Sequence, residues 1–307
     1  MYTIAITGIT GKSGQYLLQR LTKEHSSLQD YRFILLCRKN NLDLNTCENI
    51  NVEIADVDLQ NPLSIEKFFV DTQVDFLLHI AGVKFSWNIL PIALQNGVDN
   101  FILVHTTGIY SKYKAAGESY RQIESKIDDL VASYRKKGRN IGLTVLRPTM
   151  IYGDLNDKNI SVFIKMVDKF RIFPTVNGAR YDLQPVWCKD LGNAYYDVLI
   201  NWEITKNKEY ILSGGTPIQL RDMFSVIAAQ LGVKNVFVSC PYPIAYAGAC
   251  LIYGITFKKI DMREKVQRLV EPRAYSHALA TQDFGYSPAN FEDGVREEIE
   301  MYKLIRR

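Results

Sequence analysis

The 307-residue chain has no cysteines at C-x-x-C spacing, and its five (Cys37, Cys47, Cys188, Cys240 and Cys250) are odd in number and mostly set in apolar runs. That excludes a disulfide scaffold and leads us to expect buried thiols in a reducing compartment. Only four histidines occur, too dispersed for a metal site, so no metal is expected. The net charge is only +4 and the lysines and arginines are scattered, so the basic stripe of a nucleic-acid binder is missing. Long apolar runs are missing too. The longest, Pro243 to Phe257, spans 15 residues and is interrupted by Gly248 and Gly254. It falls short of the ~20 residues a spanning helix needs. No membrane span is expected, and a packed helix is expected there in preference to contact with a membrane surface. No basic leader precedes the first apolar run at residue 2, so no signal peptide is expected and a cytoplasmic protein is.

What is present is an ordinary globular composition, 47% hydrophobic and 23% charged, at a length that suits two unequal lobes. Short aliphatic and β-branched runs mark strands at Thr3–Thr7, Phe33–Cys37, Val52–Ala55, Phe76–Ile80, Phe101–His105, Leu143–Leu146 and Tyr210–Leu212. They are apolar at nearly every position, as strands covered on both faces should be. Segments of helical period lie between them: Leu17, Leu18 and Leu21 share one face, and Ile123, Ile127, Leu130 and Tyr134 another. That alternation predicts parallel strands joined by crossover helices. After Gly153 strands become rare while Pro, Tyr and Trp become frequent, which marks a second lobe. The expected division is residues 1–155 plus about 186–213 for the first lobe, and 156–185 plus 214–307 for the second.

The strongest single signal is Thr7-Gly8-Ile9-Thr10-Gly11-Lys12-Ser13-Gly14, which follows a strand and opens a helix. Gly8 permits the tight turn, Gly11 lets the backbone approach a pyrophosphate, and Gly14 lets helix and strand pack closely. A phosphate loop of the G-x-x-x-x-G-K-[ST] kind is excluded, because Ile6 stands where its first glycine must be. The expected fold class is therefore α/β: a Rossmann-type doubly wound parallel sheet with a smaller C-terminal α+β substrate lobe. Gly8, Thr10, Gly11, Lys12, Ser13 and Gly14 are expected to hold a dinucleotide. The second strand ends Leu36-Cys37-Arg38-Lys39, with no carboxylate for a ribose 2′-hydroxyl. Arg38 and Lys39 suit a 2′-phosphate, which favours NADP(H) over NAD(H).

With these motifs the chain resembles the short-chain dehydrogenase/reductase superfamily, in its extended type of NAD(P)-dependent epimerases and dehydratases, atypical members included. The resemblance runs along nearly the whole chain: Ala55-Asp56-Val57, His79-Ile80-Ala81-Gly82, Asn96-Gly97-Val98, Thr106-Thr107, Arg147-Pro148-x-x-x-Tyr152-Gly153, Pro185-Val186-x-x-x-Asp190-Leu191, and Phe284-Gly285-Tyr286-Ser287-Pro288 with Phe291-Glu292-x-Gly294. It implies that Asp56 and Val57 hold the adenine. Ile80, Ala81, Gly82 and Thr106 would line the cofactor site, and Pro148, Thr149 and Met150 would present backbone to the nicotinamide carboxamide. In many relatives the helix with the catalytic tyrosine pairs with its copy, which implies a homodimer.

The family reaction moves a hydride at the nicotinamide while a tyrosine, its ionisation eased by a lysine four residues on, acts as acid or base. Thr107 fills the position that hydrogen-bonds the reacting oxygen. By register the tyrosine is Tyr120, but its i+4 neighbour is Glu124, the wrong charge. The alternative is Tyr110 with Lys114, correctly spaced but only three residues past Thr107. Two functions stay open: an oxidoreductase or epimerase acting on a hydroxyl or carbonyl of a small, nucleotide-sugar-like molecule, and a non-catalytic NADP(H)-binding sensor or scaffold.

Overall fold

The computed structural model describes residues 2–38, 47, 50–113 and 115–306. In chain order the strands are β1 (Tyr2–Thr7), β2 (Tyr31–Cys37), β3 (Val52–Asp56), β4 (Phe76–His79), β5 (Asn100–Val104), β6 (Gly142–Pro148), β7 (Ile151–Tyr152), β8 (Ile172–Val176), β9 (Asp182–Leu183), β10 (Val186–Trp187), β11 (Glu209–Leu212), β12 (Ile218–Gln219) and β13 (Val236–Cys240). The α-helices are α1 (Lys12–Lys23), α2 (Pro62–Asp71), α3 (Val83–Gln95), α4 (Ala115–Lys136), α5 (Ile160–Lys169), α6 (Cys188–Ile200), α7 (Trp202–Thr205), α8 (Leu220–Leu231), α9 (Tyr242–Ile255), α10 (Arg263–Leu269), α11 (Ala278–Phe284) and α12 (Phe291–Arg306).

A seven-stranded parallel sheet, in the order β11-β6-β5-β4-β1-β2-β3, forms the centre. All seven strands expected from the sequence are in it. Because side chains alternate across a strand, Ile4, Ile6, Phe33 and Leu35 pack under α1 and α6. Ala5, Ile34, Leu36, Leu77 and Phe101 face the opposite way, into a core completed by Phe68, Ile89, Leu90, Ile127 and Val131 of the crossover helices. Both faces are covered, which is why these strands read as continuous apolar runs. The chain order reverses between β1 and β4, whose following segments leave toward opposite faces. An open α/β sheet binds its ligands in the crevice that this divergence creates.

The later segments build a third core around Tyr152, Ile164, Phe173, Phe224, Ile227, Phe291 and Val295. It is framed by two-stranded pairs β7–β10, β9–β12 and β8–β13. Between these parts α6 packs on α1 and β11 extends the central sheet beside β6, so residues 188–212 return to the first half of the molecule.

Two expectations are overturned. The apolar run after Pro243 is helical, as α9, but it is not a packed helix: within it only Ala249 is buried. Periodicity alone cannot tell an apolar stripe that meets a core from one that meets solvent. Cys250, on that helix, is likewise exposed, whereas Cys37, Cys47 and Cys188 are buried. Among the described residues no helix is long and apolar enough to cross a membrane.

Glu298, on α12, is wholly buried; its Oε1 accepts the Leu155 N–H at 3.3 Å, and the Asp157 carboxyl lies beside it. Burial, with Asp157 and Asp154 nearby, pushes its carboxyl up to about 8. A carboxyl whose folded pKa is raised stabilises the fold below its unfolded value and loses that contribution as pH rises through the folded value. Denaturant unfolding is therefore expected to show stability falling between pH about 4.5 and about 8. Glu298→Gln should flatten that slope, and an unchanged slope would refute the assignment.

Candidate functional site

The glycine turn sits at the β1/β4 divergence. Gly8 has φ +77°, and a Cβ there would lie 2.7 Å from the Ala81 nitrogen. A Cβ on Gly14 would lie 2.5 Å from the Gly8 carbonyl oxygen and 2.6 Å from the Ile9 Cα, so α1 can start directly over the end of β1 only with glycine at position 14. Gly11 is different: its Cβ would approach only the Gly8 oxygen, at 3.3 Å. Gly11 caps α1 without any side-chain hydrogen bond, which leaves the helix N-terminus open to an anion. Gln15 fastens the loop by donating from Nε2 to the Ile9 carbonyl at 2.8 Å.

From this turn a cleft of about 730 Å³ runs across the ends of β2 and β3. Gly8, Thr10, Arg38, Val57 and Ala81 line it, joined by Asp58, Leu59, Gln60, Gln15 and Phe85, which the sequence reasoning missed. Asp58 and its successors sit one turn beyond a recognised motif and carried no signal of their own. Asp56 is exposed beside Cys37 at the end of β3 and is not among the lining residues. Ile80 and Gly82 flank Ala81, are half-buried and are not among the lining residues. Ile80 donates its N–H to the Thr7 carbonyl at 3.2 Å, and the Gly82 carbonyl lies 3.2 Å from His79 Nε2. Lys39 and Lys114 fall outside the described residues.

Beyond the turn, Lys12 and Ser13 share a small hollow of about 170 Å³ with Ile151, Asn156 and Asp157. The last three also line a second cleft of about 580 Å³, with Thr106, Thr107, Thr149, Met150, Gln184, Arg268, Arg273 and Tyr275. The Thr107 hydroxyl donates to the Pro148 carbonyl at 3.2 Å, and Thr106 Oγ accepts the Gly108 N–H at 2.9 Å. The Thr149 N–H is taken by the Leu212 carbonyl at 3.1 Å and the Met150 carbonyl accepts from Val186 at 2.9 Å, so neighbouring strands hold this segment in place. Arg273 is the notable group. Its Nε has no hydrogen-bond partner, it forms no ion pair with a described residue, and burial together with the nearby Arg268 pulls its pKa down to about 10. A cation held this way calls for an anion.

Neither candidate tyrosine is among the residues lining these hollows. Tyr110 closes a 3-10 turn, Thr107–Tyr110, and donates to Glu209 Oε1 at 2.6 Å. Burial and that hydrogen bond push its phenol up to about 12, the opposite of what an acid–base tyrosine needs. Tyr120 is half-buried on α4, one turn before Glu124. Glu124 is a fixed anion: Arg147 donates to both its oxygens, at 2.6 and 2.9 Å, and His105 Nδ1 lies 2.8 Å from Oε1. Burial would raise this carboxyl, but His105 and the Arg147 guanidinium win and hold it at about 2. Arg147 also donates to Glu209 Oε2 at 2.8 Å. Trp187 is a core residue, edge-on to Tyr16 at 6.4 Å, while Arg180 is exposed.

Residues 4–86 match the model of the NAD dependent epimerase/dehydratase family. Over those residues the resemblance read from the motifs is shown, and solved structures are similar in fold along the whole chain. A UDP-glucose 4-epimerase of Thermotoga maritima, solved with UDP-glucose, superposes at TM-score 0.70 over 99% of this chain and 100% of its own, with 15% identity. A UDP-Glc/GlcNAc 4-epimerase of Campylobacter jejuni gives TM-score 0.72 at 13% identity, covering 99% of this chain and 100% of its own. A UDP-glucuronic acid 4-epimerase of Bacillus cereus, solved in complex with NAD, gives 0.69 at 14% identity with the same coverage. At these identities the likeness is one of fold. No curated protein matches the sequence.

Three outcomes follow for this site. Gly14→Ala should cost about 1–3 kcal/mol of stability, because backbone must move to admit the methyl. Gly11→Ala should leave the melting temperature nearly unchanged while weakening dinucleotide affinity about tenfold or more by calorimetry. Arg147→Met should cost about 3 kcal/mol or more by denaturant unfolding, since it strands the Glu124 carboxylate inside the protein.

Proposed function

We propose that this protein binds a nicotinamide dinucleotide and works as an epimerase/dehydratase-like oxidoreductase, in the cytoplasm, on a hydroxyl or carbonyl of a small anionic substrate such as a nucleotide sugar. The observation that carries the reading is a series of hollows along the C-terminal edge of the sheet. An uncapped helix N-terminus at the glycine turn leads through Lys12 and Ser13 to a cleft lined by both Thr107 and a half-buried Arg273 whose Nε has no hydrogen-bond partner among the described residues. The residues fit a dinucleotide. Gly11 leaves open the space a diphosphate takes, and exposed Arg38 lies at the cleft's far end. When bound, the dinucleotide supplies the hydride acceptor or donor. Arg38 favours NADP(H) over NAD(H), because a guanidinium pairs bidentately with a 2′-phosphate. Arg273, with Arg268, would hold the phosphates or carboxylate of the substrate, and Thr107 its reacting oxygen. The α4 helix is the surface on which two copies would pair.

A second reading, a non-catalytic NADP(H)-responsive protein, is favoured by one observation. The position that must carry a cation beside Tyr120 carries Glu124, already committed to Arg147 and His105.

Calorimetry with NADPH and NADH is expected to show tighter NADPH binding, and Arg38→Gln should narrow the difference about tenfold or more. Turnover assays with nucleotide sugars, aldehydes and quinones, run alongside Tyr120→Phe and Arg273→Met, separate the readings. Activity lost in Tyr120→Phe, and a raised KM in Arg273→Met, support the enzyme. Tight NADPH binding with no substrate turned over supports the sensor, and no affinity for either nucleotide overturns both.

A further inference from the structure

Helix α9 is an apolar rod with almost nothing of this chain upon it. Ile244, Leu251 and Ile255 are 63%, 63% and 67% exposed, and Phe257, just past the helix, is 87% exposed. The spacing i, i+7, i+11 sets the three helical residues within about 20° of a single line, at ~100° per residue. Gly248, at i+4, continues the stripe without interrupting it with a polar group. No charged side chain occurs from Asn235 to Phe257. The preceding strand continues the character, with Val236 and Val238 exposed on β13 and Ile172, the register partner of Val236, exposed on β8.

The stripe ends in cations. Lys258 and Lys259 follow Phe257 directly, both are exposed, and neither forms an ion pair with a described residue. The nearest carboxylate along the chain, Asp261, is taken by Arg263 at 2.6 Å. Phe257 and Lys258 both adopt positive φ, +49° and +67°. A bulky residue seldom adopts that conformation, and its cost is tolerated mainly where the side chain's placement matters. Tyrosines with polar tips, Tyr242, Tyr246 and Tyr253, fill the half-buried side of the helix, where Arg263 lies 3.9 Å over the Tyr253 ring.

We propose that α9 and its Phe257-Lys258-Lys259 tip dock the protein on an anionic lipid bilayer, the helix lying in the plane of the headgroups. At 14 residues the helix is ~21 Å long, too short to span a hydrocarbon core of ~30 Å. An apolar stripe that ends in basic residues is the pattern of a helix resting in the interface. A second copy of the same helix would bring the same lysines, whereas anionic headgroups complement them. Helix α10 packs against α9 and carries Arg268 of the second cleft, so docking brings that cleft close to the membrane surface.

The test uses the full-length protein and vesicles of phosphatidylcholine with phosphatidylglycerol, against phosphatidylcholine alone. The wild type is expected to co-sediment with the mixed vesicles. Ile244→Ser, Leu251→Ser and Ile255→Ser combined in one chain should abolish this without changing the melting temperature or NADPH affinity, since all three side chains are solvent-exposed. Lys258→Gln with Lys259→Gln should lower the partition coefficient about tenfold or more, and added salt should act in the same direction. The proposal is overturned if the wild type stays in solution with mixed vesicles, or if the triple variant binds them as well as the wild type. It is equally overturned if sedimentation velocity shows a dimer that the triple variant dissolves while vesicles bind neither form.

Discussion

The contact on which the rest is stacked is backbone against backbone where β1 and β4 part. Gly8 passes so close to Ala81, and Gly14 so close to Gly8, that any side chain at either glycine would collide with main-chain atoms. Main chain cannot step aside as a side chain can, so this packing sets where α1 begins. It also sets the direction in which the N-terminal N–H groups of α1 point. Helix α1 is then clamped from its other side, because a Cβ on Gly192 of α6 would lie 2.5 Å from Tyr16 Cβ and 2.8 Å from the Ser13 carbonyl oxygen. Helix α6 in turn carries Asp190, whose carboxylate accepts the Ala289 N–H at 2.9 Å and so ties down the segment that leads into α12. Close approach at three glycines is thus passed from the sheet through two helices to the C-terminal core.

A second constraint is electrostatic. Around position 124 the protein builds an alternating row of charges, Glu124 and Glu209 on either side of Arg147, with His105 and Ser86 extending it inward. Such a row is stable because each charge meets its opposite, and Arg147 is the member that both carboxylates share. Tyr110 is drawn into the same row through Glu209, which makes its phenol harder to ionise. The network stiffens the region beneath Thr107 while removing two ordinary means of activating a tyrosine. A fold similar to that of sugar epimerases thus keeps its clefts above side chains already committed to one another.

The central sheet was legible because its strands are buried on both faces, so each one stands out as a short apolar run bounded by turn residues. The glycine turn was legible for a related reason: a motif with a strand before it and a helix after it is constrained by local geometry alone. What could not be read depends on partners distant in sequence. The carboxylate that holds Tyr110 is 99 residues away, and Arg273 owes its unmatched charge to burial by segments that share no pattern. Asp56, assigned to the adenine by motif, is exposed at the end of β3, next to Val57 and Asp58 of the cleft wall. The apolar run after Pro243 was read correctly as a helix and wrongly as a packed one, because whether an apolar face finds a core is decided by the rest of the fold.

The two halves of the molecule therefore treat burial in opposite ways. Around the sheet apolar surface is matched and covered, and Arg273, whose Nε has no hydrogen-bond partner among the described residues, faces a cleft. At α9 the apolar surface is uncovered and the charges stand at its end. An unpaired cation in a concave, partly dry space is stabilised by a small anion that fits inside, since the same low polarity that penalises the lone charge strengthens its attraction to a partner. An apolar convex stripe gains most from an extended apolar medium, since the benefit grows with the area removed from water and needs no matching shape. Concavity and charge select a compact ligand for the cleft, whereas convexity and lack of charge select a surface for the helix. One polypeptide therefore combines a concave cleft suited to a small anion with a convex helix suited to an apolar surface.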